Sequence, residues 1–189
     1  MVGGQKFESL PDGVFQLADI KLVGNDENGG TDQVPPNYFW LQKFVAVATG
    51  TLHSIRIKML SPASGHAMVA LYSDNAGSPV NVLTSSGSTI IGDGWNTITV
   101  SDYSVVSGTT YWLAANTDSF MGFAQLYGSS CQNLYKAATY SSFSFTNNPT
   151  GLASATIYDS ELAGWGAEVS ADTYCGRGIG RGIGRGIFR

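Results

Sequence analysis

Charged residues and cysteines are both scarce in this sequence. Only 13% of the 189 residues are charged, which is fewer than a soluble helical protein normally carries. The two cysteines, Cys131 and Cys175, are too few for a disulfide scaffold. They favour two reduced thiols, with a single disulfide as the alternative. Neither a helical bundle nor a disulfide-rich module fits this composition.

The chain also lacks the motifs from which an enzyme is predicted. His53 lies within a strand pattern and His66 lies beside a turn, and neither belongs to a nucleophile or metal motif. No Gly-x-Ser-x-Gly sequence marks a nucleophilic serine, and the cysteines are too far apart to form a zinc-ligand pair. We therefore expect a protein without catalytic residues and without zinc.

One loop has a composition that suits calcium. Asp26, Asn28 and Asp32 lie in a Gly-containing segment, and their oxygen atoms are the hard ligands that Ca²⁺ prefers. Their spacing matches an EF-hand loop only in part, because the distal glutamate is missing. The alternative is a solvated acidic loop without a metal. The incomplete spacing favours this alternative.

The charges are distributed unevenly along the chain. Residues 1–176 carry six basic and fourteen acidic side chains, a net charge of −8, whereas four arginines give residues 177–189 a charge of +4. An acidic body argues against duplex nucleic acid as a partner. Opposite charges on body and tail favour head-to-tail association between copies.

Long apolar runs are absent as well. No stretch approaches the ~20 apolar residues that a membrane helix needs. Residues 1–8 lack a charged region followed by an apolar run, so we expect no Sec signal peptide. We therefore expect a protein that is made without Sec export and has no membrane span.

Glycine and aromatic residues are abundant, and short apolar runs alternate with turn residues. Within residues 52–59, Ile55, Ile57 and Met59 alternate with basic residues, which is typical of a half-buried strand. The pattern predicts an all-β fold, a two-sheet antiparallel β-sandwich over residues 38–175 with an extended N-terminal arm and loops over 1–37. The strand candidates are residues 14–20, 38–48, 52–59, 67–72, 80–84, 95–100, 110–116, 121–127, 134–140, 143–146, 153–157 and 166–174.

Residues 176–189 form an extended C-terminal tail that repeats the tetrad Gly-Arg-Gly-Ile. In an extended strand, the glycines share one face and the Arg and Ile side chains share the other. We expect this tail to add a strand to a sheet edge of a neighbouring subunit, with its own sandwich as the alternative docking place. Its assembly residues are Arg177, Ile179, Arg181, Ile183, Arg185, Ile187, Phe188 and Arg189.

Some of the aromatic residues are candidates for a platform on which a sugar ring stacks. Stacking needs an exposed flat ring with polar neighbours, and Trp95 beside Asn96, Tyr127 and Trp165 meet this description in sequence. The alternative is that these rings fill the core, because most large aromatic side chains are structural.

The middle of the chain carries a series of strand motifs in a fixed order. The motifs are Gly50-x-Leu52-x-x-Ile55-x-Ile57, Val69-x-Leu71-Tyr72-Ser73-Asp74 with the later Pro79, Gly94-Trp95-Asn96-Thr97-Ile98 and Val106-x-Gly108-Thr109-x-Tyr111-Trp112-Leu113-Ala114. The series resembles the jelly-roll β-sandwich domains of phage virion proteins and of secreted bacterial proteins similar to carbohydrate-binding modules. The resemblance covers roughly residues 50–118 and implies the fold, but no family-specific site motif is matched.

These observations lead to one functional expectation with two alternatives. We expect a non-enzymatic structural subunit of a large assembly, a decoration, fibre or tail-associated protein of a phage or virus particle that self-associates through its C-terminal tail. The first alternative is a carbohydrate-binding module, with or without calcium, that contacts a cell-surface glycan. The second is a subunit of an extracellular filament. The expected location is the virion, or the extracellular space under the alternatives.

Overall fold

The computed structural model describes residues 7–9, 15–17, 19–26, 32–124, 132–155, 159–160 and 162–168. Within these residues the chain forms β-strands and a single 3₁₀ turn at Tyr140–Ser142. The strands, numbered in chain order, are β1 (Phe7–Ser9), β2 (Phe15–Leu17), β3 (Ile20–Gly24), β4 (Asp32–Val34), β5 (Tyr38–Val45), β6 (Gly50–Met59), β7 (Gly65–Asn75), β8 (Ser78–Ser85), β9 (Thr89–Ile91), β10 (Gly94–Val105), β11 (Thr110–Thr117), β12 (Met121–Ala124), β13 (Asn133–Ala137), β14 (Ala153–Ala155), β15 (Asp159–Ser160) and β16 (Leu162–Glu168).

Two seven-stranded sheets build a sandwich, and β1 pairs with β2 apart from them. The first sheet has the order β14-β13-β5-β11-β7-β8, with β9 also paired to β7. In the second sheet β6 lies between β10 and β16, and β3 pairs with β16. β12 pairs with β6, β4 and β15. The predicted all-β, two-sheet antiparallel fold is confirmed, and it is consistent with a jelly roll.

The sequence of β6 shows how alternation positions a strand. Ile55 and Ile57 are fully buried, whereas Arg56 between them lies on the outer face of the second sheet. Strict alternation would carry Leu52 outward, but it is fully buried. The register with β16 is irregular between Ser54 and Leu52, and this bulge returns the strand to the core.

The main core lies between the two sheets and is built of aliphatic side chains from both. Fully burying one such side chain stabilises a fold by about 1.5–3 kcal/mol, so this layer holds the sheets together. Its fully buried members include Leu22, Val23, Leu52, Ile55, Ile57, Val69, Leu71, Ile98, Val105 and Leu113.

A second apolar cluster lies on the outer face of the first sheet, under residues 138–152, which we call the cover segment. The ring centroid of Phe39 is 5.0 Å from that of Phe143 in this segment. Tyr72 donates its hydroxyl to the carbonyl of Thr146 at 3.2 Å, and burial raises the pKa of this phenol above its ordinary value. The buried members of the cluster are Phe39, Leu41, Ala70, Tyr72, Trp112 and Ala114.

The strand predicted at residues 143–146 is wrong. These residues belong to the cover segment and are not in a strand. Phe143 and Phe145 alternate with polar residues because both pack on the sheet beneath them. A segment that lies over the face of a sheet, not beside its edge, has no neighbouring backbone with which to form a ladder.

Two strands from residues 1–37, where the sequence predicted an arm and loops, pair with the second sheet. Ile20–Gly24 pairs with β16, and Asp32–Val34 pairs with β12. Leu22 and Val23 of β3 are fully buried in the main core. The second sheet therefore includes residues that precede position 38.

One end of the sandwich carries the loops of residues 46–49 and 106–109. Glu168, the last described residue, pairs with Gly50 at this end. Ile20, the first residue of β3, also lies there, because it pairs with the part of β16 close to Glu168. The segments before Ile20 and after Glu168 thus continue from one end, which we call the exit end.

Candidate functional site

The two tryptophans predicted for a sugar platform share the outer face of the second sheet. Trp95 on β10 pairs with Lys58, which lies between two buried residues of β6 and therefore faces outward. Trp165 on β16 pairs with Ser54 and contacts the outward-facing Arg56. The two indoles are both half-buried and flank β6 on opposite sides. Their partners on β6, Lys58 and Ser54, are four residues apart, and the two tryptophans lie on strands two spacings apart. Standard strand geometry then separates their Cα atoms by about 16 Å.

Arg56 covers one of these two rings. Its guanidinium carbon lies 3.9 Å from the ring centroid of Trp165, which is a close cation–π contact. The Arg56 Nε and the Trp165 Nε1 are both buried without a hydrogen-bond partner. Alternation along β6 placed Arg56 on the outer face, but its contact with an indole from the other end of the chain was not predictable from the sequence.

Asn96 does not join Trp95 on the outer face. Its side-chain amide accepts a hydrogen bond from the backbone N–H of Gly92 at 2.9 Å. The same amide donates to the carbonyl of Gly92 at 2.7 Å and to that of Gly94 at 3.0 Å. Neighbouring residues on a strand face opposite sides, so Asn96 closes the turn before β10 while Trp95 faces outward.

The predicted calcium loop lies only partly within the described residues. Asp26 forms an ion pair with Lys21, and Asp32 is the first residue of β4. Among the described residues no group of three or more His, Cys, Asp or Glu side chains is arranged to hold a metal ion. Asn28 lies outside the described residues.

Several other predicted residues also lie outside the described ranges. They include Tyr127 of the sugar platform and both cysteines. The eight assembly residues of the C-terminal tail are Arg177, Ile179, Arg181, Ile183, Arg185, Ile187, Phe188 and Arg189, and all lie beyond Glu168.

The exit end carries an exposed apolar patch that sequence reasoning missed. Val45, Val47 and Val106 are 58%, 63% and 52% exposed. Backbone hydrogen bonds hold their two loops together, and the N–H of Gly108 donates to the carbonyl of Ala46 at 2.9 Å. We call these three valines the exit patch. The sequence offered no signal for it, because Val45 ends β5 and the other two valines lie in two loops that only the fold brings together.

A polar cluster lies at the opposite end of the sandwich, around His66. The Nδ1 of His66 lies 3.1 Å from Asp118 Oδ2, and its ring stacks on that of Tyr140 at 6.3 Å. The Tyr140 hydroxyl donates to Ser88 Oγ at 2.8 Å. Across the described ranges no serine or threonine hydroxyl hydrogen-bonds a histidine ring. The cluster thus brings a carboxylate, an imidazole and a phenol together at this end.

Comparison of the chain with protein-family models, curated proteins and solved structures finds no match in any of the three. In the part of the chain that the structure describes, no helix is long and apolar enough to cross a membrane.

Proposed function

We propose that this protein is a non-enzymatic structural subunit of a large assembly, a phage or virus particle, and that copies associate through the C-terminal tail. The observation that carries the proposal is the position of the exit patch. Three exposed valines occupy the end of the sandwich from which the chain continues towards the tail. Exposed apolar patches on soluble proteins mark surfaces that bind a partner.

The composition of the tail suits such a contact. Ile179, Ile183 and Ile187 supply apolar side chains at regular spacing, and the arginines between them give the tail a charge of +4. Residues 1–176 carry a net charge of −8, so a tail from one copy is attracted to the body of the next. A contact of this head-to-tail kind closes into a ring or extends as a filament, depending on the rotation between copies.

The double variant Val47→Ser, Val106→Ser tests this proposal. We expect the oligomer formed by the full chain to dissociate, because the variant removes apolar surface where the tail is proposed to bind. Mass measurement by light scattering after size-exclusion chromatography gives the result. Ile90→Ser is the matched control, since Ile90 is 80% exposed and pairs with His66 at the opposite end. An oligomer of unchanged mass in the double variant contradicts the proposal.

A second candidate function is binding of a glycan on the outer face of the second sheet. Trp95 favours it, because its half-buried indole lies on this face beside Lys58. The guanidinium of Arg56 covers the Trp165 ring, so Trp165 holds Arg56 in place on this face and does not itself stack on the sugar. Arg56 and Lys58 between them supply hydrogen-bond donors for hydroxyl or acidic groups. Neither a metal nor a cleft is required for this mode of binding.

A glycan array with the full chain and the variant Trp95→Ala tests the second function. We expect binding to a restricted set of glycans that the variant loses. Ile90→Ala is the control, because Ile90 is 80% exposed and belongs to the first sheet, not the second. Equal signals for all glycans on the array argue against a glycan site on this face. Equal binding by Trp95→Ala and the control variant argues against it as well.

A further inference from the structure

A cleft of about 390 Å³ lies between the outer face of the first sheet and the cover segment. Its volume falls within the range of small-ligand pockets, about 300–1,000 Å³. Residues of β5 and β13 form one wall, and residues 138–146 of the cover segment form the other. Its lining includes Phe39, Lys136, Thr139, Ser142, Phe143 and Ser144.

Of the described residues that line the cleft, Lys136 is the one that carries a charge. It pairs with Phe39 on the neighbouring strand, and its Nζ lies 5.7 Å from the centre of the Phe39 ring. The Nζ donates to the carbonyl of Thr150 at 3.1 Å, which leaves two of its three N–H groups for other acceptors. Within the described residues Lys136 forms no ion pair, and no carboxylate lines the cleft. The two remaining N–H groups can therefore bind an anionic group that enters the cleft.

The rest of the lining combines hydroxyl groups with an aromatic ring. Thr139, Ser142 and Ser144 supply three hydroxyls close to the cover segment's start. Ser142 donates its hydroxyl to the carbonyl of Thr139 at 3.3 Å, so the hydroxyl oxygen stays available as an acceptor. Phe143 lies partly exposed beside them and offers an apolar surface on which the carbons of a sugar ring can pack. Hydroxyls and a ring suit a polyhydroxylated ligand better than a simple fatty or aromatic acid.

We propose that this cleft binds a small sugar acid, whose carboxylate pairs with Lys136 and whose hydroxyls bond to Thr139, Ser142 and Ser144. The site lies on the outer face of the first sheet, whereas the two tryptophans lie on the outer face of the second. It does not depend on the assembly function proposed above. The net charge of −8 on residues 1–176 repels acids in general, so binding requires a local cation such as this one.

Titration of the full chain with three probes, followed by two-dimensional amide NMR, tests the site. D-glucuronate carries a carboxylate and hydroxyls, D-glucose carries only hydroxyls, and acetate carries only a carboxylate. We expect glucuronate to shift the amide resonances of Ala137 and Ala138 saturably and to bind more tightly than either other probe. Equal affinity for glucose rules out pairing with Lys136, and equal affinity for acetate rules out a sugar site. No saturable shift with glucuronate overturns the whole proposal.

Variants at Lys136 separate charge from structure. We expect Lys136→Gln to weaken glucuronate binding by about tenfold, because it removes a charge-assisted hydrogen bond. The glutamine side chain is one bond shorter than that of lysine, so the thermal unfolding midpoint of this variant is measured as well, to show that the cover segment stays in place. Lys136→Arg should retain binding. Lys43→Gln is the matched control, since Lys43 lies four residues from Phe39 on β5, about 13 Å away on the same face. Equal weakening in both glutamine variants contradicts the proposal.

Discussion

Gly166 occupies a point where β16 and β6 approach too closely for any side chain. It pairs with Leu52 beside the bulge in this ladder. A Cβ atom at this position would overlap the carbonyl oxygen of Thr51, and it would lie 2.7 Å from the carbonyl carbon of Thr51 and 2.9 Å from the Cα of Leu52. All three atoms belong to the backbone of the neighbouring strand, so no side-chain rotation relieves the overlap. The substitution Gly166→Ala therefore forces the two strands apart.

The size of the effect follows from the crowding. Overpacking a core costs about 1–3 kcal/mol, and a clash with backbone belongs at the upper end of that range. At about 2–4 °C per kcal/mol for a chain of this size, Gly166→Ala should lower the midpoint of thermal unfolding by about 6–12 °C. Circular dichroism in the β-sheet region measures this midpoint directly.

Gly92→Ala is the matched control for this prediction. A Cβ at Gly92 has no atom within 4 Å, so the control should change stability by less than about 0.5 kcal/mol. If Gly166→Ala unfolds within about 2 °C of the unmodified protein, β16 and β6 do not lie as closely together as described.

Two further predictions concern hydrogen bonds made by one side chain each. Tyr72→Phe removes the hydrogen bond to the Thr146 carbonyl. It should lower the free energy of unfolding by about 1 kcal/mol and speed amide hydrogen exchange in the cover segment. Unchanged exchange would show that this bond does not anchor the segment. The N–H of Ala63 and the hydroxyl of Ser61 donate to Asp93 and lower the pKa of its carboxyl in the folded protein below the ordinary value of 3.8. The charged carboxylate therefore stabilises the fold above pH 3.8. This contribution is lost as the pH falls through the pKa of the folded protein. Between about pH 5 and pH 3 the unfolding midpoint of the unmodified protein should therefore fall more steeply than that of Asp93→Asn, and parallel curves would contradict this assignment.

The sequence predicted most strands of the sandwich because alternation reports one-sided burial. It failed where burial has another cause. The cover segment alternates like a strand, since Phe143 and Phe145 pack on a sheet face. Strand β11, in contrast, is buried along nearly its whole length, because the first sheet is covered on both faces. Its sequence does not alternate, so it was predicted from its composition. The short strand β9 (Thr89–Ile91) lies in a Gly/Ser-rich stretch and gave no signal.

The candidate sites depend on pairings between distant parts of the chain. Trp95 and Trp165 are separated by seventy residues in sequence, and only the position of β6 between β10 and β16 places them on one face. Alternation alone could have separated Asn96 from Trp95, because neighbours on a strand face opposite sides. The exit patch and the Lys136 cleft each combine residues from separate loops or strands, so no local pattern predicts them.

The central claim is that the C-terminal tail joins copies of this protein. Light scattering of the full chain, 20.0 kDa per copy, and of the truncation to residues 1–175 tests it most directly. We expect a large oligomer for the full chain and a folded monomer for the truncation. An equal number of copies per particle in both proteins would contradict this expectation.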